Sequence, residues 1–218
     1  MSLQQTLTVF ELIDSAHVSG QDIVDLFARY PGIIASTHRA DGPKGGTDFV
    51  RIMVPGSQGK SRGGTAPTLG IIGRLGGIGA RPTRIGLVSD GDGAIAAVTS
   101  ALKLADMQRK GDVLDGDVII TTHICPDAPT RPHDPVDFMD SPIEDGTMND
   151  NEGVEGVDAI LSIDTTKGNR IINHKGYAIS PTVKEGYILR VSEDLLRIME
   201  RTSGKPAVTF PITTQDIT

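Results

Sequence analysis

Apolar positions follow two rhythms along the chain. In the first thirty residues Phe10, Leu12 and Ile13, then Ile23, Val24, Leu26 and Phe27, supply apolar faces on either side of Ser19-Gly20, which predicts two helices. Short apolar runs rich in β-branched residues come next and predict strands over 33–36, 49–54, 69–72, 84–88, 117–122 and 159–163. A long alanine- and leucine-rich period over 94–110 predicts a helix between two β-rich stretches. Beyond 163 the pattern predicts a hairpin over 170–179, a helix over 193–201 and a strand over 207–211. A crossover helix joining β-rich runs is the signature of a three-layer α/β/α domain with a mixed, mostly parallel sheet. One such domain over 1–218 is the expectation from length.

Two glycine-rich basic stretches interrupt the strands. One lies between 36 and 49 and holds His38, Arg39, Lys44, Gly45 and Gly46; the other, 55–67, holds Lys60 and Arg62. Residues 125–156 break the rhythm more severely, with nine acidic residues against the single Arg131, five prolines and two methionines. That is too long for an ordinary connection inside a compact domain. It reads either as a solvated surface excursion or as a lid over the sheet edge that it leaves.

Charge and composition then narrow the function classes. Twenty-one lysines and arginines against 28 aspartates and glutamates give a net charge of −7, which disfavours nucleic acid and anionic membranes as partners. Cys125 is the only cysteine, so no intramolecular disulfide forms and a reducing cytoplasm is the expected setting. No apolar run approaches membrane-spanning length.

Candidate chemistry concentrates at 85–98, Ile-Gly-Leu-Val-Ser-Asp-Gly-Asp-Gly-Ala-Ile-Ala-Ala-Val. Asp90 and Asp92 follow an apolar run and immediately precede a helix, the edge at which open α/β sheets bind ligands. A carboxylate there can hold a metal, accept a ligand's hydrogen bonds, or cap the helix. Two phosphate-binding patterns fail. Residues 56–61, Gly-Ser-Gln-Gly-Lys-Ser, have Val54 where a Walker loop needs its first glycine. Residues 73–79 lead into Arg81-Pro82 and a strand where a dinucleotide fingerprint needs a helix. Cys125 is a nucleophile only with His123 or His133 in reach. His123, ending the apolar run 118–122, is equally a metal ligand, a substrate contact or a structural residue.

Three of these segments together resemble the co-catalytic zinc aminopeptidases of the M20, M28 and M42 type. Ser89-Asp90-Gly91-Asp92-Gly93 with its helix resembles that family's bridging aspartate. Residues 116–127, ending in Asp127, stand where the family has paired acidic residues, and residues 157–164, ending in Asp164, resemble its next ligand-bearing strand. The match has gaps. The family's first histidine ligand is replaced by Arg74 and its orienting aspartate by Gly76, and an arginine does not ligate a metal. The family's last histidine would fall beyond Thr218, so a complete two-metal centre is not expected. More narrowly, residues 67–82 and 164–170 resemble a family of bacterial and archaeal proteins of unknown function, whose members continue past the last strands present here.

The resemblance implies a hydrolase-like α/β/α architecture and a degenerate metal site. The first expectation is a metal-assisted hydrolase of a small peptide or amide. Asp90, Asp164 and His123 would hold one divalent ion, zinc or manganese, and Asp127 would be the general base. The second is a non-catalytic protein that binds a small anion through Arg74, Arg81 and Lys60, with the acidic cluster fixing Arg74. The third is a structural role, with self-association into a homo-oligomer.

Overall fold

The computed structural model describes residues 2–15, 17–74, 77–78, 87–126, 128–132, 134, 138–165 and 174–210. They fall into two units, Met1–Thr165 and Thr166–Thr218. In the first unit, α1 (Leu3–Ile13) and α2 (Gly20–Phe27) are the two expected helices. A capping box starts α2: the Ser19 side chain accepts from Asp22 N, and the Asp22 carboxylate accepts from Ser19 N. Strands β1 (Ile34–Gly42), β2 (Gly45–Val54) and β3 (Leu69–Gly73) follow. Then come the short β4 (Gly77–Ile78) and β5 (Leu87–Ser89), the long helix α3 (Asp92–Arg109) and strand β6 (Val118–Ile124). After β6 lie β7 (Thr130–Arg131), β8 (Phe138–Met139), α4 (Asp145–Glu152) and β9 (Ala159–Ile163).

The main sheet has the order β1-β2-β6-β3-β9. Pairs β1–β2 and β2–β6 are antiparallel, while β3–β6 and β3–β9 are parallel. The sheet is mixed, as expected, but divided evenly rather than mostly parallel. Two local expectations are corrected. The stretch 38–46 is a long antiparallel hairpin, with His38 opposite Phe49 and Arg39 opposite Asp48, and only Pro43-Lys44 turn. Residues 37–42 and 45–48 of this hairpin carry no apolar run, so periodicity does not reveal that part of it. Leu87–Ser89, the described part of the strand expected at 84–88, pairs antiparallel with β4 in a separate two-stranded ladder.

Alternation along the central strands sorts the two faces. Val50, Ile52 and Val54 of β2 and Val118, Ile120 and Ile124 of β6 pack into one core with Val9, Ile13, Ile23, Phe27 and the alanine face of α3. The opposite face carries Phe49, Thr121 and His123, covered by α4, with Phe49, Ile143 and Met148 forming a smaller apolar cluster. Helices thus lie on both faces, and β6 is buried along its whole length. Edge strand β9 leaves Ile160 at 50 % and Leu161 at 38 % exposure.

In the second unit, β10 (Val183–Lys184) and β11 (Tyr187–Ile188) form a short hairpin. Helix α5 (Glu193–Ser203) ends at Gly204 in the left-handed conformation. The hairpin expected over 170–179 lies in part outside the described residues, and 174–179 contribute only the bridge from Ile179 to Thr209. That bridge is also all the described part of 207–211 forms. Among the described residues no helix is long and apolar enough to cross a membrane.

Candidate functional site

The carboxyl ends of β3 and β9 and the start of α3 meet at one edge of the sheet. The backbone N–H of Arg74 donates to the Ile163 carbonyl at 2.9 Å, which ties the two strand ends together. Gly93, in the first turn of α3, rests on both: a Cβ there would fall 2.2 Å from Arg74 O and 2.4 Å from Ile163 O. Only glycine permits that approach. The packing brings Asp90, Asp92, Arg74 and Asp164 to a common edge. Thr165 Oγ1 donates to Asp92 at 3.0 Å. Asp90 has a φ of 55°, one of only two non-glycine residues with positive φ among those described. Backbone held in that region tends to mark functional sites.

Arg74 is fixed from the second face of the sheet. Its Nη1 lies 3.0 Å from Oε2 of Glu152, and its Nη2 donates to Oδ1 of Asn149 at 2.9 Å. Both partners belong to α4. The Glu152 side chain is 1 % exposed, and its other oxygen, Oε1, lies 2.6 Å from Nδ1 of the equally buried His123. Against a carboxylate acceptor, Nδ1 carries the proton. Thr121 Oγ1 donates to the Glu152 carbonyl at 3.0 Å, and the Phe49 ring tilts against His123 at 5.8 Å. Glu152 Oε2 has no hydrogen-bond partner among the described residues despite the ion pair. The guanidinium keeps 33 % of its side-chain exposure, so it can still receive a ligand.

Asp164 sits beside this group. Crowding by surrounding protein raises its pKa above the ordinary carboxylate range, although the residue reaches the surface. The charges of Asp90 and Glu152 push the same way, while the Thr165 N–H and Arg74 partly oppose them. Among the described residues the edge therefore combines the immobilised cation of Arg74 with carboxylates whose charges raise the pKa of Asp164.

One of the cationic residues expected here, Lys60, is engaged elsewhere. Lys60 lies near the amino-terminal ends of the same strands, where Nζ pairs with Asp158 at 2.7 Å. That bond, with one from Thr68 N, lowers the pKa of Asp158. The glycine-rich loop carrying Lys60 does bind an anion through its amides, but the anion is internal. Buried Asp117 accepts from Gly56 N, Ser61 N and Ser61 Oγ, each at 2.8 Å. Burial alone would raise its pKa, yet these three bonds hold it below the ordinary value. Arg81 and Asp127 lie outside the described residues, as does His133.

The expected metal set does not assemble. Among the described residues no three histidine, cysteine, aspartate or glutamate side chains are placed to share an ion. His123 faces Glu152 on the covered side of the sheet, and a guanidinium, itself a cation, stands beside Asp164. The described residues thus do not fit a two-metal centre. The Cys125 thiol is buried, 3.7 Å from the Gly46 carbonyl, which removes it from solvent as a nucleophile. Glu152 and Asn149 have no motif to mark them in the sequence. They become visible only when α4 is placed over the sheet.

A family described as "Protein of unknown function (DUF1177)" matches residues 38–218. The chain belongs to this family. The DUF1177 match takes in Arg74, Asp90, His123, Glu152 and Asp164, and leaves α1 and α2 outside. No curated protein matches its sequence. Among solved structures the chain is similar to a glutaminyl cyclase from an Acidobacteriales bacterium. That match has 12 % identity and a TM-score of 0.48 over 99 % of this chain and 72 % of the other. A tomato leucine aminopeptidase mutant matches at 13 % identity and a TM-score of 0.39, over 57 % of this chain. The match spans only 27 % of the tomato enzyme.

Proposed function

We propose that this DUF1177 protein binds a small zwitterion, of the amino-acid or short-peptide kind, at the carboxyl edge of its sheet. The supporting observation is the fixed guanidinium of Arg74, held by Glu152 and Asn149 and still open to solvent beside Asp164. An anion alone would suffer from the neighbouring carboxylates, and a cation alone from Arg74. A molecule carrying both charges satisfies both sides: its carboxylate accepts from the guanidinium, and its ammonium donates to Asp164 and Asp90. Lys60, engaged with Asp158, takes no part.

Thermal-shift titration with glycylglycine tests this. Stabilisation should saturate in the wild type and disappear in Arg74→Ala. It should fall by about tenfold in affinity for the N-acetylated dipeptide, which loses one charge-assisted hydrogen bond. Equal stabilisation of Arg74→Ala would refute the reading.

Metal-assisted hydrolysis of a small peptide or amide is the second reading. The repulsion between Asp90 and Asp164 favours it, since a bound cation would relieve it. Equilibrium dialysis against zinc and manganese decides: one ion retained per chain, lost in Asp164→Asn, would place this reading first.

A further inference from the structure

Helix α4 is an unusual helix to find ordered. Of its eight residues, Asp-Gly-Thr-Met-Asn-Asp-Asn-Glu, all but Met148 and Glu152 are poor helix formers, there is no side-chain cap at Glu144, and only Met148 and Glu152 are buried. A helix of that length and composition does not persist by its own propensity. Polar tethers to the sheet hold it instead. His38 Nε2 lies 2.6 Å from Oδ1 of Asn151, His123 holds the Glu152 carboxylate, and Thr121 holds the Glu152 carbonyl. Arg74 supplies the remaining two, through Glu152 and Asn149.

The two Arg74 tethers differ in kind. Glu152 is buried and charged, and separating it from its cation would strand a carboxylate inside the protein. Asn149 is exposed, and its amide oxygen is a neutral acceptor. A ligand carboxylate makes the stronger, charge-assisted bond to the same Nη2.

We propose that α4 is a ligand-displaced strap, in which Asn149 occupies the Arg74 Nη2 position until a ligand carboxylate replaces it and loosens the helix. This rests on Arg74 being the ligand's anchor, as proposed above. The strap gives the Arg74 Nη2 position a resident partner in the empty site and couples occupancy to the order of residues 145–152. Asn149 is then a built-in competitor that sets affinity without contributing to the bound state.

Amide hydrogen exchange on the full chain tests it, read at two hydrogen bonds. Met148 N donates to Glu144 O at the start of α4, and Gly153 N donates to Asn149 O at its end. In N149A, exchange at both should rise about three- to tenfold, the loss of one hydrogen bond. Alanine is the better helix former, so propensity alone predicts the reverse. N149D supplies a resident carboxylate and should slow both amides and weaken glycylglycine binding, whereas N149A should bind it several-fold more tightly. Saturating dipeptide should bring the wild-type amides close to the N149A rates. If the dipeptide binds in an Arg74-dependent way while α4 exchange and N149A affinity stay unchanged, the strap is wrong and the site stands. If neither wild type nor N149A binds it, both fall together.

Discussion

The two ends of the parallel strands hold their charges in opposite ways. At the amino-terminal end, Asp117 receives three hydrogen bonds and Lys60 pairs with Asp158, so these three charges each have a partner. At the carboxyl end, burial raises the pKa of Asp164 and the charges of Asp90 and Glu152 add to it, Glu152 Oε2 lacks a hydrogen bond among the described residues, and Arg74 keeps part of its side chain in solvent. Buried polar networks that are fully satisfied specify structure, and a buried polar group left without a hydrogen bond calls for an explanation, a bound water, ion or catalytic role among them. The same contrast separates two loops that look alike in sequence. The glycine-rich basic loop at 55–67 resembles a phosphate site and is spent on Asp117, whereas the acidic excursion at 125–156 resembles mere solvated surface and supplies the residues that fix Arg74.

The sharpest way to break this contrast is at the satisfied end. Asp117→Ala strips the acceptor from Gly56 N, Ser61 N and Ser61 Oγ and should cost about 3 kcal/mol or more in urea unfolding. It should leave glycylglycine affinity unchanged if the variant folds. Gly59→Ala approaches the same end from the other side, since its Cβ would lie 1.8 Å from Asp117 Oδ1. It should also be strongly destabilising.

At the other end, Glu152→Gln removes the buried charge between Arg74 and His123 and should cost about 2 kcal/mol. Unlike Asp117→Ala, it should also weaken dipeptide binding, because the guanidinium loses its alignment. Equal effects of the two substitutions on binding would erase the distinction between the ends.

Acid titration separates the ends by sign. The folded pKa of Asp117 is lowered, so its contribution is present above the ordinary carboxylate range and lost as pH falls through the folded value. The folded pKa of Asp164 is raised, so ionising it costs the folded state more than the unfolded one. Stability therefore declines as pH rises from the ordinary value through the folded one. Asp164→Asn should accordingly stabilise the protein at neutral pH, by no more than about 0.5 kcal/mol because solvent screens the group. Lys60→Ala, at an exposed pair, should change stability least of these substitutions, with binding intact.

Much of the fold was legible because its signals are local. Residues 159–163 form β9 with the expected bounds, and the alanine period predicted α3 within two residues at its start and one at its end. The hairpin β1–β2 was only half visible, since Thr37, His38, Arg39 and Asp41 carry no apolar alternation. Helix α4 was invisible, because its order comes from contacts with residues distant in sequence: Arg74, His38 and His123.

The site was legible in part for the same reason. Asp90 and Asp164 stand out at the ends of apolar runs, and Arg74 stands out as a departure from a family motif. Glu152 resembles any other acid in an acidic stretch until the fold buries it. Lys60 was drawn toward the site by its glycine-rich surroundings, whose partner turned out to be Asp117.

The most direct test of a ligand site at the carboxyl edge is the side-chain nitrogen resonance of Arg74 during a glycylglycine titration. A carboxylate arriving at Nη2 requires the Arg74 guanidinium signals to shift and saturate, while the Lys60 ammonium signal stays still. Stationary Arg74 signals, at dipeptide concentrations that thermally stabilise the protein, would contradict it.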